Sequence, residues 1–268
     1  MVTVSFSAVS HPGSVRDHNE DAHAIGGRLA LIADGVGGHA AGEVASALTV
    51  EAFEGLTAAQ EPVPDPVEVL RAAIVGANTA IAAAAKENEA YRGMGTTVVA
   101  LLFSDEGAHV AHVGDSRAYR LRGGELARLT RDDSYVQMLI DKGALAESDV
   151  RTHPYRSVVL KALLGEPVEP TIGEVDVAAG DRYLLCSDGL SDVVSDEDIA
   201  RALTEVDDGT DACEELTRLA LEAGGPDNIT IIIVDASLPS VLTRSRYSTN
   251  FPPPRQPKAT VGIMRPRR

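Results

Sequence analysis

Four apolar, strand-like runs in this chain each break at an aspartate: LALIADGVGG at Asp34, AHVAHVGDSRAY at Asp115, DRYLLCSDGL at Asp188 and GGPDNITIIIV at Asp227. A strand that meets Asp-Gly, Gly-Asp or Asp-Asn turns sharply there and leaves its carboxylate at a sheet edge, where distant elements can meet. The pattern predicts one convergent acidic site. Two carboxylates about 4 Å apart repel by about 4 kcal/mol at an effective dielectric of about 20, so such a cluster calls for cations. Oxygen-rich sites of this kind suit hard divalent metals.

Around these runs the periodicity separates into blocks. Alternation predicts a strand over 2–9 and another over 29–33, followed by a helix with apolar positions Ala41, Val44, Ala45, Leu48 and Ala52. The next helix opens with Asp65 as N-cap, Pro66 in the first turn and Glu68 at N3. Segments 95–103, 108–113, 117–121 and 125–129 form a meander with a hairpin at Gly123-Gly124, and strands joined this tightly are antiparallel. The pattern loosens over 130–170, with a helix over 135–142 and an irregular stretch, ESDVRTHPYRS, that reads as an insertion above the sheets. A strand follows at 182–187, then helices over 196–203 and 211–223, and a strand at 229–235 buried on both faces. Segregated strand runs and helix pairs predict an α+β sandwich with helices outside two sheets.

Of 268 residues, 44% are hydrophobic, enough for a sizeable core. No apolar stretch is expected to span a membrane, and MVTVSFSAVSHPG lacks the basic start and apolar run of a signal peptide, so a cytoplasmic location is the expectation. Cys186 and Cys213 have no metal-site spacing and read as packed thiols. The net charge of −16 conceals an asymmetry, because residues 239–268 hold seven Lys/Arg and no acid, leaving a formal −23 on the rest. So acidic a body argues against nucleic-acid binding. The division is therefore a folded domain over 1–238 and a basic, Pro-rich tail over 239–268, expected to be disordered alone.

RDHNEDA (16–22), ADGVGGHAAGEVAS (33–46), GTT (95–97), VGDSRAY (113–119), CSDGLSD (186–192) and GGPDNIT (224–230) resemble, in order and spacing, the metal-dependent Ser/Thr protein phosphatases of type 2C, especially the bacterial members. The resemblance covers about residues 1–236 and implies a four-layer sandwich, two antiparallel β-sheets flanked by antiparallel helix pairs. It also implies two core Mn²⁺ or Mg²⁺ ions and hydrolysis of phospho-Ser or phospho-Thr by direct attack of a metal-bridging water. On that resemblance Asp34 bridges the metals, the Gly35 carbonyl ligates one of them, and Asp188 and Asp227 complete the site. Glu20 holds the second metal largely through waters, Asp21 orients the nucleophilic water, and Arg16 clamps phosphate oxygens with its planar fork. Asp115 stands at the position of a third, weaker metal, with a turn aspartate as the competing reading.

One departure is informative. Val36 follows Asp34-Gly35 where several eukaryotic relatives have a histidine proposed as general acid. His39 is a candidate for that role, with a helix-start histidine as the alternative. The other histidines are given no metal, although His153 in the insertion is a possible substrate contact. Ser195-Asp196-Glu197-Asp198 reads as a helix cap, and Asn228 as a turn residue, not a ligand. The expected partners are phosphorylated proteins, Ser/Thr kinases and their substrates, met by a monomer. The rivals are a small-molecule phosphoesterase and a pseudophosphatase that only binds.

Overall fold

The structure, a computed structural model, describes residues 2–37, 41–59 and 63–238. His39 and the basic tail lie outside the described residues. In chain order the strands are β1 (Thr3–His11), β2 (Ala22–Gly26), β3 (Leu29–Ala33), β4 (Gly35–Val36), β5 (Gly95–Thr96), β6 (Val98–Phe103), β7 (Ala108–Val113), β8 (Arg117–Arg122), β9 (Glu125–Arg128), β10 (Thr171–Val175), β11 (Arg182–Cys186) and β12 (Ile229–Ser237). The helices are α1 (Gly42–Ala52), α2 (Glu54–Thr57), α3 (Pro66–Glu87), α4 (Tyr135–Asp141), α5 (Asp188–Ser191), α6 (Asp196–Glu205) and α7 (Gly209–Glu222).

Two five-stranded antiparallel sheets, ordered β1-β12-β11-β8-β9 and β10-β7-β6-β3-β2, pack face to face. Successive side chains on a strand face opposite ways, so each central strand must supply two cores. Along β12, Ile232 and Val234 join Ile32, Leu101 and Tyr183 between the sheets, while Ile231 and Ile233 pack outward with Leu216 and Ala220 of α7. On β3, Ala30 and Ile32 face inward, and Leu29 and Leu31 meet Ala45 of α1 and Leu70, Ile74 and Ile81 of α3. This produces four layers, as the resemblance implies.

Capping fixes the helix starts. Asp65 accepts from Glu68 N–H at 3.1 Å at the head of α3, and Ser195 accepts from Asp198 N–H at 3.0 Å at the head of α6. The acidic run at 195–198 is thus a cap. Helix α7 begins two residues earlier than its pattern suggests, because Asp208 accepts from the N–H groups of Thr210 and Asp211. Both cysteines are free and buried, and burial pushes each thiol up to about 12.

Several expectations need amendment. The run 95–103 divides into β5 and β6 at Thr97, and β2, β10 and the single turn α5 were not anticipated. Within the insertion, the irregular stretch contains a 3₁₀ segment, Glu147–Thr152. Helix α3 is long and apolar enough to cross a membrane by length and composition, contrary to expectation, yet it lays Leu70, Ile74, Ala77 and Ile81 into the outer core.

Candidate active site

Antiparallel pairing brings the motifs together. The start of β12 lies beside the ends of β1 and β11, since Ile229 pairs with His11 and Ile231 with Cys186. Asp227 just before β12, Asp188 just after β11 and the 12–21 loop after β1 therefore share one end of the sandwich. From the second sheet, Asp34 leaves β3 and Asp115 leaves β7 at the same end, because Val113 pairs with Val98 and Ile32 with Val99.

Each carboxylate is held by a neighbouring motif. Thr97 Oγ1 accepts from Asp34 N–H at 3.2 Å, while Thr97 N–H and Thr96 Oγ1 both donate to the Asp34 carbonyl at 2.8 Å. The GTT motif is thus a clamp on the Asp34 turn. At Gly35 a Cβ would collide with Glu20 O and with the Gly42 backbone, which accounts for glycine there. Asn228 is the hub of the 12–21 loop: its Oδ1 accepts from Glu20 N–H at 2.8 Å, and its Nδ2 donates to the carbonyls of Pro12 and His18, each at 2.9 Å. With those groups committed, Asn228 serves position, not ligation.

Electrostatics tie the carboxylates into one cluster. Burial pushes Asp34 well above the ordinary carboxylate range, and the charges of Asp21, Asp188, Asp115 and Asp227 add to it. Asp188 is raised likewise, by burial and then by Asp115, Asp192, Asp227 and Asp21. Burial lifts Asp21 to about 6 and Asp115 to about 7, with Asp132 and Asp192 adding to the latter. Glu20 is raised more mildly, by burial and then Glu43. Arg16 stands at the half-exposed rim, its Nη2 2.7 Å from Asp227 Oδ2.

The donors fit divalent cations. Asp21 Oδ2 accepts from Ser187 Oγ at 2.8 Å, but its buried Oδ1 has no hydrogen-bond partner. An orphaned carboxylate oxygen among mutually repelling carboxylates is costly unless positive charge joins it. Among the described residues no three acidic, His or Cys side chains already close as a ligand set, so coordination would also draw on the Gly35 carbonyl and water.

Sequence reading singled out Arg16, Glu20, Asp21, Asp34, Gly35, Asp115, Asp188 and Asp227, and all gather at this end. His153 sits on the insertion among aromatic rings, 6.2 Å from that of Tyr135 and 5.8 Å from that of Tyr155. Asp192 was missed. It caps α5 four residues after Asp188, a spacing that shares a helix face, and it is raised by burial beside Asp132. Asn228 is the turn residue expected, with its N–H on Asp227 Oδ1 at 2.9 Å, but its hold on the 12–21 loop and the role of Ser187 were missed, because they rest on contacts more than forty residues away.

Residues 14–222 match the family model described as Protein phosphatase 2C, and the chain belongs to that family. Among its relatives is the serine/threonine protein phosphatase PstP of Mycobacterium tuberculosis, 46% identical over 234 residues that make up 87% of this chain and 45% of PstP. The chain therefore spans under half the length of that relative. Protein phosphatase PhpP of Streptococcus pneumoniae is 33% identical over 239 residues, covering 86% of this chain and 97% of PhpP. A crystal structure of the PstP catalytic domain in complex with two manganese ions matches with a TM-score of 0.83 and 44% identity, over 89% of this chain and 100% of that one.

Proposed function

We propose that this chain is a metal-dependent phosphoprotein phosphatase acting on phospho-Ser and phospho-Thr. The carrying observation is the cluster of half-buried carboxylates, with Asp115 buried and Asp21 Oδ1 orphaned, in a fold shared with the manganese-containing PstP domain. Asp34, Asp188, Asp227, the Gly35 carbonyl and Glu20 would hold two Mn²⁺ or Mg²⁺ ions, with Asp115 and Asp192 beside them for a third. Bound there, the ions supply positive charge to the phosphate and a water acidic enough to attack at neutral pH.

The chain's own residues do the rest. Asp21, anchored through Oδ2 by Ser187, presents Oδ1 to accept a hydrogen bond from the attacking water and aim it. Arg16 can exchange its single Asp227 contact for two phosphate oxygens, a geometry its fork favours. His39 remains a proposal for the proton donor to the leaving alkoxide. A cytoplasmic monomer opposing a Ser/Thr kinase completes the reading.

Hydrolysis of p-nitrophenyl phosphate and of phosphothreonine peptides with added Mn²⁺ tests it. Turnover that survives EDTA would sink the metal mechanism, and turnover of small phosphoesters alone would favour the metabolite reading.

A further inference from the structure

The end of the sandwich opposite the candidate active site is acidic as well. Thr3 pairs with Ser237 where β12 runs out, and Phe103 pairs with Ala108 across the 104–107 turn, so both places lie at the far end of the sheets from Asp34 and Asp227. Two cavities of about 570 Å³ each open there, and both are lined by the 104–107 turn. They form one trough. Val4, Phe103 and Val177 give the first cavity an apolar side, and Pro64, Pro66 and Val175 do the same for the second.

Five carboxylates line this trough, Asp65, Asp105, Glu106, Glu174 and Asp176, against one arginine, Arg28. Arg28 answers Asp105 at 2.9 Å, while Arg120 and Arg122 answer Asp176. Glu106 and Glu174 are exposed and have no ion-pair partner among the described residues. His109, on the wall of the second cavity, keeps a buried Nδ1 without a hydrogen-bond partner, which a polar occupant would satisfy. An acidic trough with apolar sides suits a chain that carries both cations and aliphatic groups.

The sequence supplies such a chain at the right place. Strand β12 ends at Ser237 beside Thr3, on the wall of the first cavity, and Leu238 stands 71% exposed there. Residues 239–268, outside the described residues, hold seven Lys/Arg and no acid, and VLTRSR occupies 241–246. Extended chain covers at most about 3.5 Å per residue, so Arg244, six positions beyond Leu238, has a reach of about 20 Å. A tether this short gives the segment an effective concentration in the millimolar range, enough for a weak contact to be occupied.

We infer that the basic segment after β12 docks into this trough of its own chain, with Arg244 and Arg246 on Glu106 and Glu174 and with Val241 and Leu242 against the apolar sides. The inference is independent of the phosphatase reading, because no residue of the carboxylate site takes part. While the segment is docked, the trough is closed to basic segments of other proteins.

Trypsin tests the dock, since cleavage after Arg244 and Arg246 follows the population in which the segment is free. The full chain is digested at low salt beside a synthetic peptide of residues 239–268, and both cuts are timed by mass spectrometry. They should be about 10-fold slower in the full chain than in the peptide, a protection within the combined range of a few exposed ion pairs and an apolar contact. In about 0.5 M NaCl that difference should shrink towards unity as the charges are screened. Glu106→Lys/Glu174→Lys should abolish the protection at low salt and Glu106→Gln/Glu174→Gln should reduce it, with melting temperatures moved by less than about 2 °C. Glu87→Lys, at the other end of α3, should leave it intact. Cuts as fast in the full chain as in the peptide, or protection untouched by the Glu106 and Glu174 substitutions, would overturn the dock. Protection that falls on dilution would put the segment of a second copy in the trough and overturn the intramolecular occupant.

Discussion

Asp188 shows what a single residue contributes to this site and what it costs. It opens α5 with its carboxylate among like charges, raised far above its usual range by burial and by Asp115, Asp192, Asp227 and Asp21. Asp188→Asn keeps the shape and removes one repelling charge. Hydrolysis should therefore fall by more than the 10–100-fold typical of losing an outer partner, while the metal-free protein should melt about 2–4 °C higher, equivalent to about 1 kcal/mol in a domain of this size. A variant that melts lower without metal would show the carboxylate to be satisfied by the protein alone. Ser187 acts one step further out, through its 2.8 Å bond to Asp21 Oδ2, so Ser187→Ala should cost about 10–100-fold in turnover with metal affinity largely kept.

Among the connecting elements, Asn228 and Asp181 do most to fix neighbours. Asn228 ties three backbone groups of the 12–21 loop. Asn228→Ala leaves those groups without partners at a cost of about 1–3 kcal/mol, and it should slow turnover by loosening Arg16, Glu20 and Asp21 together. Thermal melting and phosphopeptide kinetics on the same preparation read both effects. Asp181 is the corresponding hub away from the site: it accepts from Arg122 through both oxygens, from Ala178 N–H and from the Tyr183 hydroxyl. Burial alone would raise Asp181, but Arg122, Ala178 and Tyr183 hold it below the ordinary range. A carboxyl more acidic in the folded state contributes stability in full above its unfolded value of about 4 and loses it as pH falls through the folded value. Urea denaturation should show Asp181→Asn less stable than wild type by about 1–3 kcal/mol near neutral pH, with the gap closing in strong acid. A gap that widens on acidification would contradict the sign.

These hubs also mark where the sequence stops being legible. The strands around Asp34, Asp115, Asp188 and Asp227 could be read because apolar runs ending in turn residues are local signals. The central strand β12 declared itself by Ile231 to Val234, which feed two cores at once. Strand β10, TIGEV, did not. It is an edge strand bearing a glycine and a glutamate, and its pairing with β7 comes from a partner about sixty residues earlier. Strand β2, AHAIG, begins at the last residue of the RDHNEDA motif and is too short to show a clear alternation. The clustered carboxylates were legible by resemblance, whereas Asn228, Ser187 and Asp192 take their places from contacts that only the folded chain creates.

At the scale of the whole molecule, two sheets share a core and carry helix pairs outside, and one end of the sandwich collects acidic side chains from the turns that follow or precede strands of both sheets. The fold's stability and the site's electrostatic strain are thus spatially separate. Ile232 lies fully buried between the sheets, so Ile232→Ala should cost about 2–5 kcal/mol in unfolding free energy and leave the kinetics of the surviving folded protein near wild type. Loss of activity beyond the unfolded fraction would show the inter-sheet core to control the site directly. Mn²⁺, by contrast, should stabilise the chain by mass action, about 2.7 kcal/mol at a hundredfold excess over its dissociation constant.

The most direct measurement is the rate of phosphothreonine-peptide hydrolysis across a Mn²⁺ titration, for wild type and Asp34→Asn side by side. Wild type should be inactive in EDTA and rise to a saturating rate as Mn²⁺ is added, while Asp34→Asn stays near background at every concentration. Hydrolysis by wild type that is independent of Mn²⁺ and Mg²⁺, or an Asp34→Asn variant that saturates at the wild-type rate, would contradict a carboxylate-held metal site as the source of the activity.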